Sequence, residues 1–409
     1  MSQDFVISGL GVVAPGSIGE KEFSRAIRDG VYCAGPLVGF DVSRFGVDLA
    51  CEVKGFDAKA QLGPKGLRNL DRSALFLMTC AKQAIEQSRL EINDANTDAL
   101  GVCTGTTFSH LWSIVEFDRE VFSSGLEFSN PALFPSTVMN AASSHVSIRY
   151  NIQGFNTTVS SGYTSGLEAL RYAMMALETD KAETVLCGGV DVLTFSLYFG
   201  FHKLGYMAGI NGEAVSCPFD RRHNGPVLGE AAGMFTLERR QTAEKRKAPV
   251  LARVLSAAGY FDGFRMGKIH PRGLGLKNSV YMALDEAGVG LSDIDYVSSC
   301  ANSSPELDRV ETAVLKNVFG SRLAKVPVSS LKSMVGETFS AAHVLQVISC
   351  VIAMRDGFVP PTVNFKEPAP DCELDCVPNL SQNKKVKLCL ATSSGPGGYN
   401  GACVLAQPN

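Results

Sequence analysis

The 409-residue sequence predicts a layered α/β protein, and three observations carry that prediction. Short β-prone runs that end in small residues alternate with stretches of helical periodicity, as layered α/β folds require. A tight turn at Ser160–Gly166 joins one such run to one such helix. The composition, 45% hydrophobic and 19% charged with 40 glycines, is that of a globular chain rich in tight turns, and it excludes disorder.

In chain order, Val6-Ile7-Ser8-Gly9-Leu10-Gly11-Val12-Val13-Ala14-Pro15-Gly16 reads as a buried strand breaking into a loop. A dinucleotide fingerprint needs a third glycine where Ala14 stands, so no such cofactor is expected there. Leu75, Met78, Ala81 and Ile85 share one face of a helix running from Leu70-Asp71-Arg72 to about Arg89. Gly101-Val102-Cys103-Thr104-Gly105-Thr106 then ends a strand in small residues. Phe108, Leu111, Trp112, Val115, Phe117 and Phe122 follow at helical spacing, as in a core or interface helix.

Asn156-Thr157-Thr158-Val159 is the strand before the turn, and Leu167, Leu170, Met174 and Leu177 mark the helix after it. Such a turn displays one side chain at a helix N-terminus, a seat that suits a thiolate or alkoxide nucleophile. Here that side chain is Tyr163. Val185-Leu186-Cys187-Gly188-Gly189-Val190-Asp191 is the next strand, and a second set of strands and helices begins at Val250-Leu251-Ala252-Arg253-Val254, after the basic stretch 241–249.

The turn and the strand after it resemble the nucleophile region of the β-ketoacyl synthases, the condensing enzymes of fatty acid and polyketide synthesis. Pro218-Phe219-Asp220-Arg221-Arg222-His223-Asn224-Gly225-Pro226-Val227-Leu228-Gly229-Glu230-Ala231-Ala232-Gly233 carries the most specific match; Phe134–Ala142, Pro360–Asn364 and Asp375–Asn379 also match the family. The resemblance implies a thiolase-like fold, two related α/β halves in an αβαβα arrangement, with the halves at 1–245 and 246–409.

It also exposes three departures. Tyr163 stands where the family's acyl-carrying cysteine belongs, and a phenol is a poor acyl carrier. Val297-Ser298-Ser299-Cys300-Ala301-Asn302-Ser303-Ser304-Pro305-Glu306-Leu307-Asp308 puts Cys300 at the first catalytic histidine. Lys332-Ser333-Met334-Val335-Gly336-Glu337 puts Glu337 at the second, where an ionised carboxylate would repel a forming enolate. His343 should point to another face of its helix and be structural. In the gating loop Thr392-Ser393-Ser394-Gly395-Pro396-Gly397-Gly398-Tyr399-Asn400, Ser394 replaces the family's phenylalanine, and Pro396 stiffens the loop.

The resemblance therefore points to a non-catalytic chain-length factor paired with an active ketosynthase. In such subunits bulky residues after Gly105 close an acyl tunnel at the dimer interface, so Phe108, Leu111, Trp112 and Val115 are the candidates here. Most relatives of this kind carry glutamine where Tyr163 stands. No cofactor is expected, the acyl chain arriving on the phosphopantetheine of an acyl carrier protein. The alternatives are an acyltransferase or decarboxylase using Cys300, or a homodimeric scaffold that binds the carrier protein.

The balance of 38 basic and 41 acidic residues gives no field directed at nucleic acid or an anionic membrane. Two local basic clusters, Arg239, Arg240, Lys245, Arg246 and Lys247, then Lys384, Lys385 and Lys387, read as solvated loops or as a dock for an acidic carrier. The twelve cysteines lack metal-type spacing, the N-terminus lacks a signal-peptide pattern, and no apolar run approaches the length of a membrane span, so a cytoplasmic protein with free thiols is expected.

Overall fold

A computed structural model describes residues 4–408. Ten strands build the central sheet: β1 (Phe5–Ala14), β2 (Leu100–Gly105), β3 (Asn156–Val159), β4 (Thr184–Asp191), β5 (Ala231–Arg239), β6 (Ala252–Phe261), β7 (Tyr296–Ser298), β8 (Val328–Ser329), β9 (Leu388–Ser394) and β10 (Tyr399–Ala406). Their spatial order is β3-β2-β4-β5-β1-β6-β10-β9-β7-β8, with Ser17–Ile18 added beside β1. Split between β1 and β6, each set of five has the order third, second, fourth, fifth, first. The pairing senses match as well. β3, β2 and β4 run parallel and β5 and β1 antiparallel, just as β8, β7 and β9 run parallel and β10 and β6 antiparallel. Topology thus displays a repeat that the residues do not. A short antiparallel contact, Phe5–Ile7 with Val254–Ala252, joins the two sets edge to edge.

The helices that frame the site are α1 (Arg72–Ser88), α2 (Leu111–Ser124), α3 (Ala141–Tyr150), α4 (Ser165–Glu178), α5 (Phe195–Leu204), α6 (Leu274–Ala287), α7 (Pro305–Phe319) and α8 (Ser340–Asp356). α1 covers the outer face of β1, β5 and β4, while α6 covers β6, β10 and β9. Between the two sets lie α4 and α8, which touch each other and strands of both sets. This is the expected αβαβα layering of a thiolase-like fold. α8 is buried from Ser340 to Met354, so it shows no amphipathic stripe; a helix walled on all sides by protein needs none.

Local signals agree with these elements. Asp71 caps α1 through Ala74 N–H at 2.8 Å, as expected of an aspartate just before a periodic apolar run. The predicted helix from Phe108 begins instead at Leu111, because Thr107 and Phe108 give their N–H groups to the buried carboxylate of Asp191 at 3.0 and 2.6 Å. The two central helices start against each other. A Cβ on Gly166 would lie 2.3 Å from the Ser340 carbonyl, so that approach requires glycine.

Candidate functional site

The turn at Ser160–Gly166 sits where the N-termini of α4 and α8 converge. Ser165 Oγ donates to the Gly162 carbonyl at 2.5 Å and accepts from Ser161 N–H at 2.9 Å, closing the turn on itself. Thr107 Oγ1 donates to the same carbonyl at 2.8 Å and lies 2.8 Å from Ser340 Oγ, whose side chain and N–H both bond Asp191. Burial pushes the Asp191 carboxyl above its ordinary range, and the surrounding donors pull it part of the way back.

Within this frame Tyr163 is partly buried. Its ring meets Phe339 edge-on, centroids 5.3 Å apart, and Lys332 Nζ stands 5.9 Å from the ring centre. A Cβ on Gly395 would fall 2.7 and 2.8 Å from Cγ and Cβ of Tyr163, so the Ser394–Gly398 loop lies directly on the ring. The hinges of that loop are polar. Ser394 Oγ donates to Asn400 Oδ1 at 2.8 Å, and Gly398, with φ +87°, offers its carbonyl to Asp262 N–H and Asn400 Nδ2. Gly397 bridges Pro396 and Gly398 with open space beside it. Burial drives the Tyr163 phenol well above its ordinary pKa, and the charges of Glu337 and Tyr206 push it further.

What remains is a cavity of about 40 Å³, lined among others by Tyr163, Phe201, Tyr206, Asn302, Glu306 and Pro396. That is room for about three waters, not for a thioester on its carrier arm.

The other two predicted positions are brought to the same place by Lys332. Its ammonium donates to Glu337 Oε2 at 2.8 Å and to the Cys300 carbonyl at 3.1 Å. Asn302 Nδ2 donates to the same Glu337 oxygen at 2.8 Å, and Phe339 N–H donates to Oε1 at 2.9 Å. The expectation of a repelling carboxylate at Glu337 is therefore corrected: its charge is paired with a buried ammonium, and both of its oxygens accept hydrogen bonds. Cys300 packs into the apolar cluster of Ile269, Leu307 and Val404 and does not line the cavity. Burial, followed by the Glu311 carboxylate, holds its thiol well above the usual range, which argues against a relocated nucleophile.

His343 is buried, with Nε2 3.5 Å from Cys403 Sγ, as its structural reading requires. Among the described residues no group of histidine, cysteine and carboxylate side chains has the makings of a metal site. No described helix is long and apolar enough to cross a membrane.

The tunnel candidates separate. Phe108 turns inward, 5.1 Å from Phe339 and 6.1 Å from Phe201, extending the aromatic wall above Tyr163. Trp112 faces a different groove of about 620 Å³, shared with Phe40, Phe56, Leu75, Phe195 and the Arg72–Glu230 ion pair. Leu111 and Val115 are half-buried on the same helix.

Residues 2–243 match the β-ketoacyl synthase N-terminal domain and residues 251–366 its C-terminal domain. The chain belongs to the β-ketoacyl synthase family. This synthase-family chain is 32% identical over 406 residues to 3-oxoacyl-[acyl-carrier-protein] synthase 2 of Coxiella burnetii, covering 98% of each chain. It is 31% identical to the tetracenomycin polyketide synthase ketoacyl synthase alpha subunit of Streptomyces glaucescens, covering 98% of this chain and 97% of that one. The ishigamide ketosynthase/chain length factor superposes with a TM-score of 0.94 at 27% identity over the full length of both chains. A type II polyketide synthase ketosynthase solved with its acyl-carrier protein does so at 0.91 and 25%, again over both full lengths.

Several residues that organise the site carry no strong signal in the sequence. Lys332 is visible only as a motif position, and nothing local announces its bond to Glu337. Phe339 is held at φ +52° and ψ −115°, a region that bulky residues avoid and that marks functional or formerly functional sites. Phe201 and Asn302 reach the site only through tertiary folding.

Proposed function

We propose that this chain is the non-catalytic, chain-length-factor-type subunit of a type II polyketide ketosynthase pair. One observation carries the reading: the place of the family's acyl-carrying thiol is filled by the Tyr163 ring, pressed between Phe339 and the Gly395 loop, with about 40 Å³ left beside it. Condensation needs a thiolate and two hydrogen-bonding imidazoles. Tyr163, Cys300 and the Lys332–Glu337 pair offer an unionised phenol, a buried thiol and a closed ion pair. The fold similarity to a ketosynthase/chain length factor supports the same reading.

In this role the active partner supplies the nucleophile, and the acyl carrier protein delivers the chain on its phosphopantetheine, so this subunit needs no cofactor of its own. Its contribution is the interface and the far wall of the acyl tunnel, with the Trp112 groove as the place where a growing chain would end. The test is native mass spectrometry of the protein alone and co-expressed with a type II ketosynthase, with malonyl condensation assayed on each species. A one-to-one complex that alone condenses malonyl units is expected. A self-sufficient, condensing homodimer would overturn the proposal.

A further inference from the structure

The groove that Trp112 faces is not apolar throughout. Aromatic rings and Leu75 supply one part of its lining; the carboxylates of Glu52, Asp71, Glu116 and Glu230 and the guanidiniums of Arg72 and Arg119 supply the other. By charge alone such a groove repels an anion and invites a cation. Its hydrogen bonds say otherwise, because the acceptors are already engaged.

Both oxygens of buried Glu230 accept from Arg72 Nε, and Val53 and Leu193 add their N–H groups at 2.9 and 3.2 Å. Asp71 accepts from Ser73 Oγ, Ala74 N–H and Ser113 Oγ at 2.7, 2.8 and 3.1 Å. Glu116 holds Arg119 at 2.8 Å, and Glu52 accepts from Val38 N–H at 3.2 Å. What the groove has left over is donors. Arg72 Nη2 is bonded to Glu230 and to the Val53 carbonyl, and its guanidinium lies 4.5 Å from the Phe76 ring centre, so the fork is fixed in place. Its Nη1 has no hydrogen-bond partner among the described residues, although the side chain is 39% exposed where it lines the groove. Trp112 Nε1 is likewise without a partner.

A saturated chain laid over these donors would strip their water and return no hydrogen bond. A carboxylate would meet the excess of acids, and an ammonium would meet Arg72. Neutral carbonyl oxygens spaced along an apolar chain suit both parts of the lining: they accept from the two donors while the carbons between them rest on the rings. We propose that Arg72 and Trp112 are specificity-determining donors of this groove, and that its occupant is an acyl chain still carrying unreduced keto groups near its far end. That such a chain grows on a partner ketosynthase rests on the function proposed above; the preference for un-ionised carbonyls rests on the groove alone.

Trp112 is the sole tryptophan of the sequence, so its emission reports on this groove directly. The purified full-length protein is titrated, without any ketosynthase, with a β-diketoacyl thioester of N-acetylcysteamine and with the saturated thioester of the same chain length. Both are expected to shift the emission saturably, the diketo probe binding about tenfold more tightly, as one hydrogen bond to a charged group allows. Arg72→Lys keeps a cation beside Glu230 but removes the fork; it should erase that preference, leave the affinity for the saturated probe unchanged and remain folded by circular dichroism. Trp112→Phe, read by calorimetry, keeps a ring face without the N–H and should reduce the preference independently of Glu230. Absence of binding, equal affinity for the two thioesters, a preference that survives both variants, or tighter binding of the matching free carboxylic acid or amine would each overturn the proposal. No pairing or condensation enters these titrations, so their failure is separable from failure of the paired function.

Discussion

At Tyr163, the substitution that defines the site is one the rest of the site has accommodated. Gly395 leaves the ring its room, Phe339 supplies its edge-on partner, and Lys332 faces it while holding Glu337 and the Cys300 carbonyl. Restoring the thiol alone should therefore not restore chemistry: Tyr163→Cys, assayed for malonyl condensation without a partner, is expected to remain inactive because both imidazole positions stay filled. The Lys332–Glu337 pair is almost wholly buried, with side chains 5% and 0% exposed. Glu337→Leu strands an ammonium and should cost about 3–5 kcal/mol in chemical denaturation, whereas Glu337→Leu with Lys332→Met should recover most of it. His343 gives a pH signature. Burial, with help from Lys332, pushes it down to about 3, so the native state keeps it neutral while the unfolded chain takes up a proton near its ordinary value of 6.5. Its contribution to stability is thus complete above pH 6.5 and falls as pH drops toward 3, by about 2 kcal/mol at pH 5. Urea midpoints between pH 8 and pH 5 should show this decline, and His343→Leu should flatten it.

At the level of elements, α2 shows what periodicity can and cannot reveal. Its apolar spacing was legible, and so was its nearness to the site, but spacing cannot say which residue looks inward. Asp191 decides that by taking the N–H groups of Thr107 and Phe108, which ends the turn before Leu111 and sends Phe108 toward Phe339. Trp112, 43% exposed in the lone chain, is left facing the groove it shares with Phe195 and Leu75. If that groove ends the acyl tunnel of the pair, Trp112→Ala should lengthen the products made by the reconstituted complex, read by mass spectrometry, and unchanged products would remove it as the stop. α1 and the strand–turn–helix at Tyr163 were readable for the opposite reason. Their signals, the apolar face of Leu75, Met78, Ala81 and Ile85 and a small-residue turn between two periodic runs, are local and need no distant partner. The burial of α8 on every side and the strain at Phe339 were not, since a helix buried all round has no stripe to mark its inner face and a strained φ leaves no mark in residue type.

For the whole molecule, the family motifs made the layered fold legible, while the repeat emerges only in the strand order, because topology persists where side chains have diverged. The same scale raises the question of what covers the surface running from α2 to α3. Phe122 is 88% exposed, Phe128 and Ile148 each 76%, and Leu126, Phe134, Val138 and Met139 are exposed between them. Exposed apolar residues at this density mark an association surface, because leaving them in water forgoes roughly 25 cal/mol for every Å² that a partner would bury. The edge strand β3 lies next to it, paired on one side only, by β2. On the function proposed above, the active partner would sit across this face. Phe122→Asp with Phe128→Asp should leave the melting temperature of the isolated chain within a few degrees of wild type, since neither ring is buried in it, yet abolish the one-to-one complex with the ketosynthase in native mass spectrometry and, with it, condensation. Retention of the complex would place the partner elsewhere on the molecule and separate the apolar face from the paired function.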